Sequence, residues 1–155
     1  MDLKENIFKE RTIDKHYITE YISRNYEPST KEQKEEILNI IHKTYSKKQD
    51  LDCILYNLGS AISGVSKKDQ STLFLLGNGS SGKSMIMTLT KECIECYFQE
   101  LESNTFSYGY TKIDKILNTF SKNPQIRISW INEMKDTKMD ESLFKSFCER
   151  QFTNY

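Results

Sequence analysis

The sequence predicts an α/β fold in which a small all-helical segment precedes a core built on a parallel sheet. In the first part of the chain, apolar residues recur at helical spacing. A continuous apolar run at residues 72–76 is then typical of a strand buried on both faces of a sheet. A second short strand, residues 125–132, is predicted after further helical stretches, so strands and helices alternate. We place the boundary near Ser66, with a helical lead-in over residues 1–66 and the α/β core over residues 67–155.

Three apolar stripes predict the helices of the lead-in. A polar break containing Pro28 separates the first two stripes, and Thr30 with Gln33 forms the signature of a capping box before the second. The stripes are Ile13, Tyr17, Ile18, Tyr21 and Ile22, then Ile37, Ile40, Ile41 and Tyr45, and finally Leu51, Ile54, Leu55, Leu58 and Ile62.

The predicted core begins with the strand at residues 72–76. A helix over residues 84–101, a helix over residues 111–120, a strand over residues 125–132 and a final helix over residues 140–152 follow in that order. Asp140 is suited to cap the last helix.

Charge and composition exclude several classes of protein. The 22 basic residues balance the 22 acidic residues, so net charge gives no argument for nucleic-acid binding and any such site must be local. No apolar stretch reaches membrane-spanning length, and the opening residues do not resemble a secretory signal. We therefore expect a protein that is not secreted and that acts in the cytoplasm.

The glycine-rich loop, residues 77–84, carries the strongest chemical signal. Its eight residues match G-x-x-x-x-G-K-[ST]: Gly77, Asn78, Gly79, Ser80, Ser81, Gly82, Lys83 and Ser84. Glycines let the backbone N–H groups turn toward phosphates, and the following helix points its N-terminus at the same anion. Lys83 is expected to neutralise the β- and γ-phosphates and Ser84 to bind Mg²⁺. The sequence thus predicts a P-loop NTPase core that binds ATP and Mg²⁺.

Hydrolysis also needs a carboxylate at the end of a neighbouring strand. Glu133 ends the second predicted strand and is our candidate for the catalytic carboxylate and for a Mg²⁺ ligand. Asn132 precedes it and is a further candidate on the metal side, although it carries no charge.

Two rival nucleotide-binding classes fit less well. Residues 111–114, TKID, match the guanine-reading motif of GTPases, but they open a helix and no D-x-x-G separates them from the loop. Small-molecule kinases generally use an Arg-rich lid, whereas this chain has only Arg11, Arg24, Arg127 and Arg150.

From Leu51 onward the chain resembles the superfamily 3 helicases, specifically the poxvirus-type primase-helicases of large DNA viruses. The stretches that carry the resemblance are LYNLGSAISG, LFLLGNGSSGKS, RISWINE and LFKSFCE, with Gly59, Gly64, Arg127 and Glu133 at matching positions. The resemblance implies an AAA+-like core with a parallel sheet, and a hexameric ring that hydrolyses ATP while moving on single-stranded or forked DNA.

The chain also departs from that family. Lys145 resembles the lysine of a DNA-contacting hairpin, but Glu149 and Arg150 stand where a glycine-containing turn is expected. The family's sensor residue and arginine finger have no counterpart that we can assign before Tyr155. We therefore expect an incomplete core, truncated after the second carboxylate motif, with weak or absent hydrolysis unless partner subunits or further segments complete it.

Three interpretations remain open. The first is such an ATP-binding fragment of a viral DNA-replication helicase, and the second is a non-catalytic interaction protein derived from one. A P-loop ATPase of another family, such as a packaging or partition motor, is the third possibility.

Overall fold

The computed structural model describes residues 7, 9–10, 12, 14, 19–63, 72–79, 81–109, 113–135 and 138–149. Within these ranges the chain forms five α-helices and a two-stranded parallel sheet. The helices are α1 (Lys31–Thr44), α2 (Lys48–Ser63), α3 (Lys83–Ile94), α4 (Ile113–Lys122) and α5 (Glu141–Cys148). The strands are β1 (Phe98–Leu101) and β2 (Ile128–Ile131), and a single 3-10 turn at Glu95–Tyr97 joins α3 to β1.

Local hydrogen bonds begin α1 and α5 where the sequence predicts them. Thr30 Oγ1 accepts a hydrogen bond from the Gln33 N–H at 3.2 Å, and Gln33 Oε1 accepts one from the Thr30 N–H at 2.9 Å. This reciprocal pair satisfies two backbone donors that the helix itself leaves unpaired. Asp140 Oδ1 accepts from the Leu143 N–H at 3.0 Å in the same way. Predictions for α1, α2, β2 and the start of α5 are confirmed.

The two strands pair in parallel, with Phe98 opposite Ile128 and Leu101 opposite Ile131. Parallel neighbours need a crossover connection, and α4 lies in the segment that joins them. The sheet is covered on both faces. Phe98 and Ile128 pack with Met87 and Ile94 of α3, whereas Ile131 packs toward the cluster of Phe106, Ile116 and Leu143 that joins α4 and α5.

A third cluster attaches the lead-in to α3. Leu51 and Ile54 of α2 pack with Ile86 of α3, and Ile41 and Tyr45 at the end of α1 pack against the same group. Ile54 is 2% exposed, the lowest exposure in the described core. The predicted boundary at Ser66 lies outside the described residues, but α2 and α3 on either side of it share one hydrophobic cluster.

The predicted strand at residues 72–76 is wrong. No strand is assigned there, and no backbone–backbone hydrogen bond joins this apolar run to another described segment. A strand exists only where a neighbouring backbone pairs with it. Leu73 and Leu75 pack inward, while Phe74 is 55% exposed and Leu76 is 88% exposed. The run therefore has one buried face instead of the two that its composition predicts.

The predicted helix at residues 84–101 is too long. The helix ends at Ile94, where Glu95 adopts a positive φ of 45°, and residues 98–101 instead pair with β2. Tyr97 and Leu101 fit the helical spacing of α3, so periodicity alone could not locate this ending. Pairing with a neighbouring strand outweighs the helical pattern in this segment.

The first predicted helix is wrong where it can be compared. Ile13, Tyr17 and Ile18 lie outside the described residues, and residues 19–30 form no helix. Tyr21 is 75% exposed, so the predicted stripe does not pack as a helix face. Residues 20–24 instead lie across the C-terminal end of α3, and we call them the N-terminal strap.

Hydrogen bonds from the strap hold the end of α3. The Arg24 guanidinium donates to the Cys93 carbonyl at 2.7 Å, which satisfies one of the carbonyls left unpaired at a helix C-terminus. The Tyr97 hydroxyl donates to the Glu20 carbonyl at 2.8 Å. Ser23 donates from its backbone N–H and its hydroxyl to the Glu95 carboxylate, each at 3.0 Å.

These contacts lower the pKa of Glu95. The hydrogen bond from the Ser23 N–H contributes most, the Ser23 hydroxyl adds to it, and the positive charge of Arg24 acts in the same direction. Since the folded-state pKa is depressed, the contact stabilises the fold above the ordinary carboxyl pKa. That contribution is lost as the pH falls through the folded-state pKa.

Replacing Ser23 should therefore move this titration. In Ser23→Ala the hydroxyl is lost but the N–H remains, so the pKa of Glu95 should rise part of the way toward its ordinary value. An NMR pH titration of the Glu95 side-chain carboxyl measures it. Glu32 is an internal control, because its pKa is lowered by its own backbone N–H and by Thr30. An unchanged Glu95 pKa, or an equal shift at Glu32, would contradict the strap geometry.

Candidate functional site

The glycine-rich loop lies between the apolar run and α3, and all of its residues except Ser80 are described. Gly82 is the N-cap residue of α3 and has a left-handed φ of 83°. A glycine takes this conformation without strain, whereas an L side chain rarely does. A Cβ at Gly82 would also lie 2.5 Å from Thr44 Oγ1. Both the backbone angle and the available space therefore require glycine here.

Lys83 bends back into the loop. Its Nζ donates to the carbonyl oxygens of Gly77 and Asn78, at 3.1 and 2.8 Å, and to Ser81 Oγ at 2.7 Å. An ammonium group has three N–H donors, so these contacts use all of them. A Cβ at Gly77 would lie 3.4 Å from the same nitrogen. The loop thus closes around a single positive charge.

The N-terminus of α3 points into this loop without a side-chain cap. Gly82 offers no capping atom, and the first helical backbone bond runs from the Ile86 N–H to the Gly82 carbonyl at 3.3 Å. The N–H groups before Ile86 therefore have no partner within the helix. These groups and the helix dipole favour an anion.

The end of β2 meets the start of α3. Ser84 Oγ donates to Asn132 Oδ1 at 3.3 Å, a contact that spans 48 positions of sequence. It joins the last residue of the loop to the first residue after β2, at the carboxyl end of the parallel sheet. In open α/β sheets, ligands bind at this edge.

Glu133 lies next to this contact. It has a positive φ of 56°, is exposed, and lines the same cavity as Gly77, Lys83 and Ser84. The structure thus brings Glu133 to the mouth of the loop, but it is Asn132 whose side chain contacts Ser84. Sequence reasoning favoured Glu133 for the metal side because of its charge.

The cavity has a volume of about 830 Å³ and two chemically different halves. The loop and the end of β2 form a polar wall. Apolar side chains form the other wall, including Phe74, Leu101, Phe106, Phe144 and Phe147. A cavity of this size, with a few polar groups beside apolar walls, has the dimensions of a small-molecule site.

No arginine is among the residues that line the cavity in the described structure. Arg24 is engaged at the opposite end of α3, where it donates to the Cys93 carbonyl. Arg127 precedes β2, so it lies at the edge of the sheet opposite to Asn132. Arg11 and Arg150 lie outside the described residues. As far as the structure describes the chain, the site offers lysine but no guanidinium to a bound anion.

Other residues singled out in the sequence lie elsewhere. Lys145 is in the last turn of α5 and pairs with Glu149 at 3.6 Å. Asp114 opens α4 and is exposed, while Thr111 and Lys112 of the same motif lie outside the described residues. Gly59 lies within α2 with open space around it, and Gly64 is not described.

Metal-binding side chains are sparse. Across the described ranges, no group of three or more His, Cys, Asp or Glu side chains comes together. A cation beside Ser84 would therefore take its remaining ligands from Asn132, Glu133, water and the phosphates of a nucleotide. Mg²⁺ is commonly bound in this way, through few protein ligands plus substrate phosphates.

Sequence reasoning missed two contacts of α3, the helix that begins at this site. Thr44 packs against Gly82 and the strap holds the far end of α3. Both join residues distant in sequence and leave no local motif. The one signal for the Thr44 contact is Gly82, whose conformation requires a glycine beside the end of a neighbouring helix.

Comparisons with protein-family models, with curated proteins and with solved structures find no match for this chain. No described helix combines the length and the apolar character needed to cross a membrane.

Proposed function

We propose that this chain binds Mg·ATP, with the phosphates in the glycine-rich loop and Mg²⁺ between Ser84 and the end of β2. The contact between Ser84 Oγ and Asn132 Oδ1 carries the proposal. It brings together the two sequence motifs, which were predicted separately, at the edge of the sheet where a nucleotide would lie. In this arrangement the uncapped N-terminus of α3 binds the phosphates and Lys83 neutralises them.

Lys83 has a defined task in this proposal. In the present structure its ammonium binds two loop carbonyls and Ser81. A phosphate that enters the loop would exchange these neutral acceptors for charged oxygens. Hydrogen bonds to charged acceptors are stronger than those to neutral ones, and this difference favours the exchange.

Removing the charge should therefore weaken nucleotide binding. Lys83→Ala should lower the affinity for Mg·ATP by about 10- to 100-fold, which corresponds to the free energy that a hydrogen bond to a charged group contributes. Equilibrium titration with a fluorescent ATP analogue measures it. Lys91→Ala is a matched control, because Lys91 lies on the same helix, pairs with Glu100 at 3.5 Å and does not line the cavity. Unchanged affinity in Lys83→Ala would contradict the loop assignment.

We further propose that this ATP site belongs to a DNA helicase of the viral replication type. The support is the resemblance of the chain from Leu51 onward to the superfamily 3 helicases, together with a parallel sheet whose carboxyl edge meets the loop. In that family, single-stranded or forked DNA and further copies in a hexameric ring would be the partners.

Hydrolysis by this chain alone should be slow. Asn132 supplies no charge to a metal, and no described arginine reaches the cavity to stabilise transferred charge. Glu133 remains the candidate that orients water. A non-catalytic role is the second candidate function, and the uncharged Asn132 beside Ser84 favours it.

The turnover rate separates binding from catalysis. We expect phosphate release slower than about 10⁻² per second, with or without single-stranded DNA, as for P-loop NTPases without an arginine finger. Glu133→Gln should remove the residual rate, whereas its affinity for Mg·ATP should fall less than that of Lys83→Ala, because Lys83 is the group that neutralises the phosphates. Fast, DNA-stimulated turnover by the 155-residue chain would contradict this account. Binding without any turnover would favour the non-catalytic role.

A further inference from the structure

The C-terminal end of α1 abuts the point where the glycine-rich loop becomes α3. A Cβ built at Gly82 would lie 2.5 Å from Thr44 Oγ1, 3.1 Å from Thr44 Cγ2 and 3.4 Å from Thr44 Cβ. Thr44 therefore fills the space directly beside Gly82. Real Cβ atoms essentially never lie this close to another heavy atom, so a side chain at position 82 would require Thr44 or the backbone to shift.

Thr44 is held in this place by its neighbours. Ile41, one turn earlier, and Tyr45, the next residue, pack against the cluster of Leu51, Ile54 and Ile86. Ile86 lies in the first turn of α3, and its N–H bonds to the Gly82 carbonyl. The same cluster thus fixes both α1 and the start of α3.

The side chain of Thr44 also has limited rotational freedom. Its β-branched side chain is restricted at χ1, and threonine populates two χ1 rotamers in a helix. The left-handed φ of Gly82 orients the peptide groups that lead into α3. Glycine reaches many other conformations at little cost. A side chain packed beside Gly82 would favour the observed conformation over the others.

We propose that Thr44 is a positioning residue for the phosphate site, and that the helical lead-in thereby holds the glycine-rich loop ready for a nucleotide. The inference rests on the proposed function and assigns a task to α1, for which the sequence carries no motif. Thr44 acts through Gly82 and does not touch the nucleotide.

The first test compares side chains of different shape at position 44. Thr44→Val keeps the branched shape and should bind Mg·ATP within about twofold of wild type. Thr44→Ala removes the branched side chain beside Gly82 and should weaken Mg·ATP binding by about threefold or more, as expected for coupled neighbours. Lys43→Ala is the matched control, since Lys43 lies in the same helical turn and is exposed. Thermal denaturation identifies any loss caused by unfolding, and Thr44→Ser provides a milder variant.

A double-mutant cycle with Gly82→Ala tests the contact itself. Gly82→Ala should weaken binding strongly, and Thr44→Ala should partly restore it, because the smaller side chain makes room for the new Cβ. The proposal is overturned if the fold-losses in Mg·ATP affinity of the two single variants simply multiply in the double variant. Equal affinities of wild type and Thr44→Ala would also overturn it. If Lys83→Ala binds as wild type does, the proposed function itself fails. Suppose instead that Lys83→Ala loses binding, Thr44→Ala binds as wild type does, and the cycle shows no coupling. Then only the positioning role of Thr44 fails.

Discussion

The structure of the candidate site depends on the conformation of one residue, Gly82. Its left-handed φ turns the chain from the loop into α3, and Thr44 leaves no room for a side chain there. This turn starts α3 without a capping side chain and lets Lys83 fold back over the loop. It also sets Ser84 against Asn132 at the end of β2. The polar contacts of Lys83 and Ser84 therefore begin directly after a residue whose backbone angle only glycine adopts easily.

α3 is held by segments from the N-terminal part of the chain at both of its ends. Thr44 of α1 meets its beginning, and the strap binds its end through Arg24 and Ser23. Between these points its buried side chains join α2 on one side and the sheet on the other. The lead-in and the core therefore both pack against α3, the helix that follows the loop. The lead-in is part of the packing that supports the site.

Elements governed by local chemistry could be predicted from the sequence, and those governed by distant partners could not. The capping box at Thr30 and the cap at Asp140 mark helix starts that neighbouring residues decide. Residues 98–101 were predicted as helix because Leu101 continues the spacing of α3, whereas pairing with β2 makes them a strand. For the site, the contiguous loop was found from its motif. The contact of Asn132 with Ser84 could not be inferred from charge, because it depends on where β2 ends.

Backbone amide signals of the glycines test the central claim, that the loop binds phosphate, most directly. The chain has only six glycines, so selective ¹⁵N labelling gives six resolved N–H signals that can be followed during titration with Mg·ATP. Gly77, Gly79 and Gly82 belong to the loop, while Gly59 and Gly109 are not among the residues that line the cavity. The account predicts large shifts for the three loop glycines and none for Gly59 and Gly109. Shifts confined to Gly59 or Gly109, or no shifts at saturating nucleotide, would contradict it.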